Sequence, residues 1–76
     1  MTLTLYQRDD CHLCDHALAV LAAAAAPEFV SVFIDGDLAL ETAYGSRVPV
    51  LADSAGRELA WPFAAAAVSA WLQAAG

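Results

Sequence analysis

A chain of 76 residues has room for one hydrophobic core and one site, so residues 1–76 are expected to form a single domain. Nine acidic residues against three arginines and no lysine give a net charge of −6, which opposes polyphosphate backbones and anionic lipid and excludes nucleic acid and membrane as expected partners. Alanine supplies 19 of the hydrophobic residues, which leaves the core to Leu, Val, Phe and Trp.

Leu3, Leu5 and Tyr6 precede the polar turn Gln7-Arg8-Asp9-Asp10, the pattern of a first strand with a tight connection to a helix. From about Cys14 to Ala26, Leu13, Leu18, Val20 and Leu21 in a background of alanines predict a helix of three to four turns, stopped by Pro27. Phe29 to Ile34 is β-branched and aromatic and predicts a second strand. Asp35-Gly36-Asp37 turns the chain and caps a short helix, Leu38 to Tyr44, that stops at Gly45. Val48 to Leu51 predicts a third strand and Arg57 to Trp61 an antiparallel fourth, joined by the hairpin turn Asp53-Ser54-Ala55-Gly56. Pro62 suits the first turn of a last helix running to about Ala74, with Val68, Trp71 and Leu72 facing inward.

Met1-Thr2-Leu3-Thr4 lacks the basic stretch of a secretory signal, and the apolar run Ala17 to Ala26 is too short to cross a bilayer, so the expected address is the cytoplasm. There a lone cysteine pair reads as redox or metal chemistry before a structural staple. That pair is Cys11-His12-Leu13-Cys14, at the junction of the first strand and first helix. Residues three apart on a helix project from nearly one face, about 5–6 Å between Cβ atoms, within reach of a disulfide. A thiolate at a helix N-terminus is stabilised by the macrodipole and by unpaired N–H groups. No metal is expected, since Cys11, His12, Cys14 and His16 wrap one helix start and cannot converge tetrahedrally. Asp15 stands where covalent haem attachment needs a histidine. Pro49, at the start of a strand that otherwise reads as central, suggests a cis X-Pro turn facing the site.

The order β-α-β-α-β-β-α, with Cys-x-x-Cys at the first junction and Val48-Pro49 opening the third strand, resembles the minimal thioredoxin fold, and more closely the small glutaredoxin-like proteins of that superfamily. Tyr6, Arg8, and Tyr44-Gly45 ahead of Val48-Pro49 also match that family's pattern, so the resemblance spans nearly the whole chain. It implies an α/β fold with a four-stranded mixed sheet flanked by three helices. It also implies thiol–disulfide exchange in which Cys11 attacks and Cys14 resolves, carried out by a monomer with no bound cofactor on protein or low-molecular-weight thiols and disulfides. Arg8, His12, Leu13, Arg47, Val48 and Pro49 are the implied substrate contacts, with the Val48 N–H and C=O pairing to an incoming chain.

The chain also departs from the family. His12-Leu13 replaces the usual Pro-Tyr between the cysteines, and Leu5 stands where thioredoxins carry a buried carboxylate. Ala60-Trp61-Pro62-Phe63 replaces the Gly-Gly of glutathione-binding members, removing backbone donors and adding bulk, while Arg8 and Arg47 attract an anionic carboxylate. Glutathione as co-substrate stays open on these opposing features. Two other readings remain: a metal or iron–sulfur module using Cys11 across a dimer with glutathione as co-ligand, and a redox-idle adaptor of the same fold.

Overall fold

Alternation decides which face of each strand is buried. In the computed structural model of the chain, which describes residues 2–74, β1 (Leu3–Gln7) buries Leu3, Leu5 and Gln7 and leaves Thr4 and Tyr6 half-covered on the other side. After it come α1 (His12–Ala23), β2 (Phe29–Phe33), α2 (Leu38–Tyr44), β3 (Val50–Asp53), β4 (Glu58–Ala60) and α3 (Ala65–Ala74). The described residues thus hold three helices and one four-stranded mixed sheet in the order β2-β1-β3-β4, a minimal thioredoxin-like fold. β1 runs parallel to β2, with Leu3 opposite Phe29 and Gln7 opposite Phe33. β3 runs antiparallel to both β1 and β4, with Tyr6 opposite Val50 and Val50 opposite Ala60.

The register places Leu3, Leu5 and Leu51 on one face of the sheet, where they meet Ala17 and Leu21 of α1 and Val68 of α3. Phe63 closes this core, and Trp71 and Leu72 pack at its margin rather than inside it. Over the opposite face, the Tyr44 ring of α2 stacks on Tyr6 with centroids 4.2 Å apart. The hairpin forms at the expected turn. Gly56 takes φ +89°, a left-handed value suited to glycine, and Asp53 Oδ1 accepts the N–H groups of Ala55 and Arg57 at 3.0 and 2.9 Å. Arg57 Nε lies 2.8 Å from Asp53 Oδ2. Covering the Asp53 carboxyl favours its neutral form, but the bonds from Arg57 and Ala55 outweigh this and lower its pKa. The Arg57 guanidinium stacks 4.3 Å over the Trp71 ring, and its buried Nη2 has no hydrogen-bond partner among the described residues.

The bounds of several elements differ from the sequence expectation. α1 starts at His12 and ends at Ala23, not at Cys14 and Ala26. Its C-terminus is closed by Ala25 N–H to Ala22 O and Ala26 N–H to Leu21 O, both 3.1 Å, with Ala25 in the left-handed region at φ +52°. This is the Schellman pattern, which ends the helix before Pro27 is reached. The buried stripe of α1 is Cys14, Ala17 and Leu21, and Leu13 and Leu18 face outward, because the small Ala17 lets the helix sit close on the sheet. β3 begins at Val50 rather than Val48, since the Val48 N–H turns away to the Tyr44 carbonyl at 3.0 Å. β4 is Glu58–Ala60, and α3 begins at Ala65, its first bond running from Val68 N–H to Ala64 O; the intervening bend carries Phe63 into the core. An alanine forced left-handed costs about 1 kcal/mol that glycine does not. Ala25→Gly is therefore expected to raise stability by up to that amount, read as a higher denaturant midpoint at unchanged slope. A lower midpoint would contradict the left-handed assignment.

Candidate functional site

Parallel pairing sends the chain out of β1 and β2 at the same end of the sheet, and the antiparallel β3 enters there. The loop after β1 leads to Cys11, and Val48-Pro49 lies just before β3 at the same end. The Val48–Pro49 peptide is cis, as is Trp61–Pro62. Trp61 donates its N–H to the Pro49 carbonyl at 3.0 Å, which brings Ala60-Trp61-Pro62-Phe63 to this end as well.

Cys11 is the N-cap of α1, with extended backbone and its Sγ accepting the Cys14 N–H at 3.1 Å. A sulfur replaces the oxygen of an ordinary cap, so the same atom that can react also satisfies a free donor at the helix start. Cys11 and Cys14 are joined as a disulfide, their Cα atoms 5.3 Å apart. The two differ in access: Cys14 is 2% exposed on the buried face of α1, and Cys11 is half-buried at the tip of the helix. Pro49 is fully buried and Val48 half-buried. His12 and Leu13, between the sulfurs, are both exposed, as is His16 one turn on. Among the described residues, no three His, Cys, Asp or Glu side chains are grouped to hold a metal ion. Leu5 is fully buried and apolar under α1, so no carboxylate lies there.

Two of the expected substrate contacts are held by internal partners. Arg8 donates to the Gly45 carbonyl at 3.2 Å and faces Glu41 at 3.6 Å, across the C-terminus of α2. Gly45 is fixed by this close approach: a Cβ there would meet the Glu41 carbonyl oxygen and come within 3.2 Å of Arg8 Nη2. Arg47 donates to the Ala43 carbonyl at 3.0 and 3.2 Å, reaches Glu58 at 3.4 Å and lies 5.2 Å from the Tyr44 ring centroid. The Val48 N–H, expected to be free for an incoming chain, is occupied by Tyr44 O, which leaves the Val48 carbonyl. The ties to Glu41 and Glu58 were not legible in the sequence, because these carboxylates become partners only once α2 and β4 are in place on the sheet.

Glu58 also accepts the Tyr44 hydroxyl at 2.7 Å. This hydrogen bond, followed by burial and the nearby carboxylate charge, pushes the Tyr44 pKa from 10.0 up to about 12. The folded state thus holds this proton more tightly than the unfolded chain. The stability it contributes is complete below pH 10 and is lost as pH rises through about 12. An absorbance titration is expected to show a tyrosinate step near 12 that Tyr44→Phe removes and Glu58→Ala shifts downward. A step unmoved by Glu58→Ala would contradict the assigned cause.

A surface depression lined by Thr2, Ala26, Pro27, Glu28 and Val30 lies at the opposite end of the sheet, away from the cysteines. No helix among the described residues is long and apolar enough to cross a membrane.

Comparison with known proteins agrees with this geometry. A family model described as Glutaredoxin-like domain (DUF836) matches residues 2–73. The X-ray structure of target protein XcR50 from X. campestris is 68% identical, with a TM-score of 0.94 over 97% of this chain and 99% of that one. Its solution structure gives 67% identity and a TM-score of 0.93, covering 100% and 97%. The solution structure of protein Ne2328 from Nitrosomonas europaea is 31% identical, with a TM-score of 0.77 over 92% of this chain and 88% of that one. No curated protein matches the chain.

Proposed function

The chain belongs to the glutaredoxin-like family, and on that premise we propose that it is a thiol–disulfide oxidoreductase working through Cys11 and Cys14. One observation carries the reading: two sulfurs within bonding reach at the start of α1, one accessible and one covered. Starting from the dithiol form, the Cys11 thiolate attacks a substrate disulfide. The substrate S–S bond breaks, a Cys11–substrate bond forms, and one substrate thiolate leaves and takes a proton from water. Cys14, deprotonated in turn, attacks Cys11 Sγ, closes the internal disulfide and releases the second substrate thiol. Two electrons pass from the protein dithiol to the substrate, and a small or protein dithiol reverses the sequence. The helix N-terminus favours the Cys11 thiolate at the point of attack. With leucine at position 5 there is no buried carboxylate to relay protons, so solvent does so.

The Val48 carbonyl and the buried Pro49 form the edge against which an extended partner lies, with His12 and Leu13 on its other side. Protein thiols and disulfides suit this edge better than glutathione does. Trp61 and Phe63, packed edge to face at 5.0 Å, occupy the stretch where a Gly-Gly would bind the tripeptide, and the internal ties of Arg8 and Arg47 leave its carboxylates little to pair with. The reaction needs one chain and no resident cofactor, and a reducing cytoplasm keeps the dithiol form supplied.

The test is stoichiometric. Dithiol protein mixed with bis(2-hydroxyethyl) disulfide is expected to lose both its thiols and release two molecules of 2-mercaptoethanol per chain. Protein thiols that persist, or disappear without released product, would sink the proposal.

A further inference from the structure

The net charge of the chain is concentrated at one place. All three arginines have acidic partners: Arg8 faces Glu41, Arg47 faces Glu58 and Arg57 holds Asp53. Of nine acidic residues, six are therefore left without a cationic side-chain partner among the described residues, and these six equal the net charge of −6. Five of them, Asp9, Asp10, Asp15, Asp35 and Asp37, lie at the end of the sheet that carries Cys11, and only Glu28 lies at the other. The Asp9 N–H donates to Asp35 Oδ2 at 2.8 Å, so the loops after β1 and β2 form one surface. Asp15 sits in the first turn of α1 and Asp37 caps α2, both beside those loops.

An independent feature shares this end. Leu13 is 48% exposed, Phe33 50% and Leu38 81%. Large apolar side chains left in water at the end of the sheet that carries the cysteines fit a surface that meets a macromolecule, and a small hydrophilic thiol would use none of them. Acidic groups around apolar ones complement a segment with the opposite charge and its own apolar side chain.

We infer that the disulfide partner of this site is a cationic polypeptide segment, with lysine or arginine flanking its reacting cysteine and an apolar side chain nearby. The inference rests on the thiol–disulfide reading above and adds the class of substrate. The partner's disulfide is reduced to thiols as the protein dithiol is oxidised, so the balance is the one already given. Attraction between the five carboxylates and the segment raises the encounter rate at low salt and repels anionic thiols.

Two synthetic peptides test it, each containing leucine and one cysteine in mixed disulfide with 2-mercaptoethanol, one flanked by lysines and one by glutamates. Each rate with the dithiol protein is divided by the rate of dithiothreitol on the same peptide, which removes differences in intrinsic disulfide reactivity. The normalised lysine-to-glutamate ratio is expected to reach about 10 or more at low ionic strength and to fall within about 2 of unity at high salt. Asp10→Asn/Asp15→Asn is expected to lower the low-salt ratio by about 3-fold or more; asparagine tolerates the left-handed backbone of Asp10, φ +54°. A ratio near or below one at low salt, or one indifferent to salt and to the double substitution, would overturn the inference while leaving the redox reading standing. Reduction of neither peptide would instead bring down the redox reading itself.

Discussion

Cys11→Ser is expected to lower disulfide exchange by at least about 10³-fold, to the uncatalysed background, whereas Cys14→Ser is expected to stop it at a covalent adduct. The difference follows from access. Cys11 stands at the tip of α1 and Cys14 lies 2% exposed on the buried face of that helix, so a substrate sulfur reaches the first and not the second. Without Cys14 the bond between Cys11 and substrate forms but nothing inside the protein cleaves it. Intact-mass measurement should then find one substrate thiol per Cys14→Ser chain, mapped to Cys11, and none on Cys11→Ser. Both variants remove the same short crosslink, which contributes about 2 kcal/mol in the chain-entropy model, so loss of stability does not separate them. Equal loss of activity without a trapped adduct would show that the two sulfurs do not have distinct roles.

Leu5→Ala is expected to destabilise the fold by about 3–5 kcal/mol. Leu5 is fully buried in the middle of β1, opposite Leu51, and belongs to the cluster that joins the sheet to Ala17 and Leu21 of α1 and Val68 of α3. Truncation leaves a cavity where strand and helices meet, and a tight interior refills it only in part. A chain of this length has on the order of 4–11 kcal/mol of total stability, so the variant should lose a large share of it and unfold at a much lower denaturant concentration. Leu38→Ala, at a position 81% exposed, should change stability by no more than about 0.5 kcal/mol. Denaturant unfolding of both variants checks the contrast, and similar small losses from the two would mean that the core does not lie where the register of β1 and β3 puts it.

The element order and the cysteine junction were legible in the sequence because they rest on local signals. β-branched runs mark strands, Asp37 caps α2, and Gly56 supplies the left-handed turn residue of the hairpin. Boundaries were less legible where a tertiary bond decides them. The alanines after Ala23 have the best helix propensity and still leave the helix, because the Schellman closure and the packing of Ala24 and Ala26 against the core outweigh propensity. Leu13 and Leu18 have apolar side chains but the wrong phase once Ala17 sets the contact face. The arginines show the same limit at the site. Sequence adjacency placed Arg47 beside Val48-Pro49, but only the folded sheet brings Glu58 within 3.4 Å of it, and only α2 brings Glu41 to Arg8. Charge pairing across elements thus decides which carboxylates remain free around Cys11, and composition alone could give only their sum.

The most direct test of the central claim is a redox titration of the pair. The protein is equilibrated with mixtures of reduced and oxidised glutathione, quenched with an alkylating agent, and its free thiols are counted by mass. The account predicts that both thiols disappear together in a single monomeric two-electron transition, tenfold in the ratio of the forms for about 30 mV. Thiols that stay reduced throughout, or that are lost one at a time into intermolecular dimers, would contradict it.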